Sequence, residues 1–133
     1  MQGRLLPKYM GKYQAHPVGY WKEEYSIAKK LGLDSIEFIF DYFKYDINPL
    51  YTKKGIDEII EISSYTGVNT RSVCADYFME RPLFHHDENI RKENDDVLEN
   101  LIFNCSLLGA TDIVIPCVDN SSIKSNEQKK NFY

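Results

Sequence analysis

Three times along the chain an amphipathic stretch of helical period runs into a glycine and then into a short apolar run closed by an acidic residue: AKKLGLDSIEFIFD, SSYTGVNTRSVCAD and CSLLGATDIVIPCVD. The glycines Gly32, Gly67 and Gly109 lie 35 and 42 residues apart, the length of a strand, a crossover helix and two loops. A glycine supplies the left-handed residue at which a helix stops, so each one marks a helix end. The repeat predicts βαβ units and a parallel sheet.

The helical faces can be read residue by residue. Trp21, Tyr25, Ala28 and Leu31 fall on one stripe of a first helix whose last turn carries Lys29 and Lys30, favourable to the helix dipole. Ile56, Ile59, Ile60 and Ser63 make the face of a second, with Asp57 and Glu58 near its start and Thr52 as its N-cap. Val97, Leu98, Leu101, Ile102, Cys105 and Leu108 line a third, opposite Lys92, Asp95, Asp96, Glu99 and Asn100. Strands follow at Ile36 to Phe40, Thr70 to Cys74 and Ile113 to Cys117, apolar enough to be covered on both faces, with Thr70, Arg71 and Ser72 the least strand-like residues among them. Near the C-terminus Ser125 and Gln128 have the spacing of a capping box, so a further helix starts there. At the N-terminus a turn-rich loop holds Pro7, Gly11, His16, Pro17 and Gly19, and a first strand ahead of it would be largely missing.

Parallel strands joined by right-handed crossovers present their carboxyl ends on one side. Asp41, Asp76 and Asp119 sit just past the three strands, and Glu37 points off the first near the same rim. That rim is where ligands bind in barrels and open α/β sheets alike. An aspartate after a strand also serves simply to cap the next loop. Both readings stay open for each of the three.

Composition narrows the field. In 133 residues there are 16 Lys plus Arg against 20 Asp plus Glu, a formal charge of −4 without blocks of like charge, which disfavours a nucleic-acid or anionic-membrane binder. No apolar run reaches membrane-span length and the opening MQGRLLPKYM is no secretory leader, so a cytoplasmic protein is expected. Cys74, Cys105 and Cys117 form neither an even set nor a CxxC, and are expected to be reduced and mostly buried. His85 and His86 are adjacent and lack the spacing of a helical metal-ligand pair, while His16 and Trp21 are expected to pack the loop and the helix start.

The opening MQGRLLP, the run LGLDSIEFIFDY, the NPL before the second helix, VCADYF and LGATDIVIPCVDN, taken in order, resemble the N-terminal half of the sugar phosphate isomerase/epimerase family, which has the xylose-isomerase-like TIM barrel and is related to the family-2 AP endonucleases. The resemblance implies an α/β fold that is a partial (β/α)₈ TIM barrel, with residues 1–133 forming one partial domain of about four βα units around a parallel sheet. It implies metal-assisted proton transfer through an enediol-like intermediate on a sugar or sugar phosphate, the divalent metal (Mn, Mg, Co or Zn) being held mostly by later strands, so that no metal ligand or catalytic base is assigned here. It also implies substrate contacts from this half. Arg4 would grip a phosphate or hydroxyls, or else pair with a surface carboxylate. Glu37 would face the ligand, or else point outward between helices, and Asp76 and Tyr77 would line the pocket together with Asp41 and Asp119. Two unpaired strand edges would make a homo-oligomer possible. An AP-endonuclease-like phosphodiesterase and a non-catalytic truncated subunit are the competing readings.

Overall fold

The structure, a computed structural model, describes residues 5–132. Three strands, β1 (Ser35–Ile39), β2 (Asn69–Cys74) and β3 (Asp112–Val114), form a parallel sheet in the order β1-β2-β3. The helices α1 (Lys22–Lys30), α2 (Lys53–Thr66), α3 (Tyr77–Glu80), α4 (Glu88–Leu108) and α5 (Asn126–Phe132) complete the fold. The fold is α/β, with the crossovers α2 and α4 joining neighbouring strands. Arg4, and any strand before residue 5, lie outside the described residues.

Helix ends follow local chemistry. The Thr52 hydroxyl accepts the Gly55 N–H at 3.0 Å to cap α2, Asp87 accepts the Asn89 N–H at 2.9 Å to cap α4, and Gly67 and Gly109 close the same helices with φ of 77° and 70°. Ser125 and Gln128 exchange hydrogen bonds at 3.1 Å, the reciprocal box that starts α5.

The core lies on one side of the sheet. Ile36, Phe38 and Phe40 from β1 and its exit, with Val73 and Ala75 from β2 and its exit, pack against Tyr25 and Ala28 of α1, Ile56 and Ile59 of α2, and Val97, Leu101 and Cys105 of α4. Three residues expected on helix faces are instead exposed: Leu31, Ile60 and Ile102. Leu31 lies just past α1 as its C-cap, and Ile60 and Ile102 each follow the residue that points inward, Ile59 and Leu101, which turns them about 100° away.

The unpromising Thr-Arg-Ser start of β2 has a physical explanation. Ile36 pairs with Thr70 but Glu37 pairs with Ser72, so Arg71 is the extra residue of a bulge. The bulge turns Thr70 and Ser72 to opposite faces. Thr70 hydrogen-bonds the buried Tyr25 hydroxyl inside the core, while the Ser72 hydroxyl donates to Glu37 Oε2 at 2.9 Å on the other face. Strand β3 is shorter than its apolar run, because Pro116 has no N–H to give a ladder. Cys74 and Cys105 are buried, Cys117 is half-buried, and none of the three is in a disulfide among the described residues. No helix is long and apolar enough to cross a membrane, among the described residues.

Candidate functional site

Alternation along the strands leaves Glu37 and Ile39 of β1, Ser72 and Cys74 of β2, and Val114 of β3 on the face away from the helices. Register stacks these into rows across the sheet, Glu37 beside Ser72 beside Asp112, then Ile39 beside Cys74 beside Val114. The backbone ladder runs on through Phe40 N–H to the Cys74 carbonyl at 2.9 Å and Ala75 N–H to the Val114 carbonyl at 2.8 Å. One residue further, Asp41 and Asp76 end the same two columns at the carboxyl rim of the sheet.

Asp41 and Asp76 line one cavity of about 510 Å³, together with Tyr9, Lys12, Gln14 and Tyr42. Lys12 and Gln14 reach it on a tight hairpin in which Tyr9 and Lys12 exchange two 2.9 Å backbone hydrogen bonds across Met10-Gly11, both with positive φ. The Gln14 amide donates to Asp76 Oδ2 at 3.0 Å and the Cys74 thiol to Asp76 Oδ1 at 3.1 Å, so the carboxylate is held from both oxygens. The His16 backbone N–H donates to Asp41 Oδ2 at 2.6 Å. Burial raises the Asp41 carboxyl above its ordinary pKa; the His16 N–H opposes this, the Asp76 charge adds to it and Lys12 opposes it. Asp41 is thus a carboxyl that holds its proton more tightly than an ordinary aspartate, with a second carboxylate and an ammonium beside it, an arrangement able to bind hydroxyls and to hold or release a proton.

The other residues singled out from sequence are placed differently. Glu37 is half-buried two rows below Asp41 and Asp76, bonded to Ser72. Tyr77 is 2% exposed and faces a second, smaller cavity among tyrosines. Asp119 is exposed, at positive φ (50°), in a single helical turn, Asp119–Ser121, that packs beside α3. Glu37, Asp76 and Asp119 therefore do not share one mouth; Asp41 and Asp76 do.

Lys12, Gln14 and Tyr42 are among the cavity residues that sequence reasoning did not find. The first two sit in a loop without periodicity, and only the Met10-Gly11 turn hints that this loop folds back over the strand ends. His16 is a packing residue, its ring stacked on Phe38 at 5.4 Å and buried. Among the described residues no group of three or more His, Cys, Asp or Glu side chains is placed to hold a metal ion. Compared with known proteins, the chain matches no protein-family model and no curated protein.

Proposed function

We propose that the chain is the first part of a (β/α)₈ barrel that moves a proton beside a carbonyl carbon of a sugar or sugar phosphate, and that the Asp41–Asp76 cavity contacts the substrate. The observation that carries this reading is the gathering of two carboxylates from the ends of adjacent parallel strands, with Lys12 and Gln14, around one cavity at the carboxyl rim. Its volume of about 510 Å³ suits a small ligand.

The division of labour follows from the geometry. Asp76, oriented by Gln14 and Cys74, accepts hydrogen bonds from substrate hydroxyls. Lys12 faces the anionic part of the ligand, a phosphate or the oxygen on which charge develops. Asp41, whose carboxyl burial raises above its ordinary pKa, is the group suited to hold and release a proton. The residues described here do not make a ligand set for the divalent ion that the resemblance implies, and no step above is routed through one.

Three features of the sheet support a barrel. Strand order follows chain order, the crossover helices lie on one side of the sheet, and among the described residues β3 pairs on one edge only. Val114 on β3, with Phe103 and Leu107 on α4, is about half exposed or more, which leaves apolar surface where a further strand and helix would pack. A homo-oligomer covering the same surface is the other arrangement these residues support.

Titration of the full chain with fructose 6-phosphate, followed by NMR, tests the site. The expected result is saturable shifts at Lys12, Asp41 and Asp76, with binding weakened about tenfold or more in Asp76→Asn, since hydrogen bonds to charged groups contribute roughly 1.5–3 kcal/mol. Inorganic phosphate alone is expected to bind more weakly. Shifts confined to other surfaces, or unchanged affinity in Asp76→Asn, would refute the assignment.

A further inference from the structure

Tyr42 lines both the Asp41–Asp76 cavity and a separate space of about 250 Å³. Four tyrosines, Tyr42, Tyr45, Tyr51 and Tyr77, wall this second space. Tyr42 and Tyr45 lie parallel, their planes 9° apart and their centroids 6.3 Å apart. Tyr77 stands crosswise to both, at 5.4 and 5.1 Å, and Tyr51 crosswise to Tyr45 at 5.1 Å. Aromatic faces are weakly negative and their edges weakly positive, so a box of crossed rings offers faces on which a cation rests.

The charges around the box point the same way. Its single cation, Arg81, is already engaged: Nη2 meets Glu93 Oε2 at 2.6 Å, Nε donates to Asn94 Oδ1 at 3.3 Å, and the guanidinium lies 5.8 Å from the Tyr42 ring centroid. Asp96, on the same wall, takes part in no ion pair among the described residues. Its charge reaches the box, because it adds to burial and to Tyr45 in raising the Tyr51 hydroxyl. A phosphate or carboxylate entering here would meet Asp96 and a guanidinium already paired, and a neutral apolar molecule would leave the Asp96 charge unanswered.

We propose that the tyrosine box binds a compact organic cation of the alkylammonium class, with the rings as walls and Asp96 as counter-charge at the mouth. Arg81 over Tyr42 is the protein's own instance of the same contact. Every lining residue falls between Tyr42 and Val97, so the site does not depend on the sugar reading of the neighbouring cavity.

The test is a titration of the full chain with choline and, in parallel, with its uncharged isostere 3,3-dimethylbutan-1-ol, read by calorimetry and by tyrosine ring resonances. Choline is expected to bind saturably, to shift the rings of Tyr45 and Tyr51, and to bind about tenfold more tightly than the isostere. Asp96→Asn is expected to weaken choline about fivefold without changing thermal unfolding, since Asp96 is exposed. Tyr45→Leu, checked for native circular dichroism, is expected to abolish the ring shifts of Tyr51. Equal binding of the two ligands, affinity unchanged in Asp96→Asn, or no saturable shift would each overturn the proposal.

Discussion

Lowering the pH from 6.5 to about 4 is expected to remove about 3 kcal/mol of stability through His16 alone. The imidazole is 4% exposed and stacked on Phe38, and burial pushes its pKa from an ordinary 6.5 down to about 4. The folded state therefore holds His16 neutral where the unfolded chain would protonate it. Between those two values the unfolded state binds more protons, so the stabilisation is complete above 6.5 and is lost as pH falls toward about 4. Glu24 and Asp41 work in the opposite sense. Burial raises both carboxyls, so they bind protons more tightly in the folded state and favour it as pH falls. Comparing wild type with His16→Gln at each pH cancels these two contributions. Denaturant melts should show the variant losing about 3 kcal/mol less than wild type between neutral pH and pH ~4. Parallel pH profiles would mean that His16 is not buried neutral.

Gly55→Ala is expected to destabilise the protein by roughly 2–3 kcal/mol, although alanine is the better helix former by about 1 kcal/mol. Gly55 lies in the first turn of α2, where the chain has just come round Pro49. A Cβ there would stand 2.3 Å from both Pro49 Cα and the Pro49 carbonyl oxygen. Those are backbone atoms, which no rotamer change can move aside. Pro49 itself is held in place: Asn48 donates to the Ile39 carbonyl at 3.1 Å and accepts the Leu50 N–H at 3.0 Å, and Asn104 of α4 donates to the Leu50 carbonyl at 2.8 Å. The clash must therefore displace the start of α2 from the end of β1. A melting temperature unchanged or raised in Gly55→Ala would show that α2 does not approach this turn so closely.

How far the chain could be read in advance depends on the range of the interactions involved. Helix ends at Thr52, Gly67, Gly109 and Ser125 were legible because caps are decided by residues one to four positions apart. The second strand was faint because its polarity answers partners far along the chain, Thr70 to Tyr25 and Ser72 to Glu37. Asp41 and Asp76 were visible as acidic residues after strands, but grouping Asp119 with them assumed a third strand of equal length. Pro116 ends that ladder early and Asp119 falls on an exposed turn. Lys12 and Gln14 had no pattern to mark them, since a loop that folds over a sheet leaves no period in the sequence. The tyrosine box was likewise hidden, being assembled from the segment that follows β1, the starts of α2 and α3, and α4.

The claim beneath the functional account is that Asp41 and Asp76 face one cavity as a coupled pair, and carboxyl-carbon NMR titration of Asp41 in wild type and Asp76→Asn tests it most directly. The account predicts an Asp41 pKa above the ordinary aspartate value in wild type, lowered when the Asp76 charge is removed but held above that ordinary value by burial. An Asp41 that titrates as a free aspartate and ignores the substitution would place the two carboxylates apart and contradict the site.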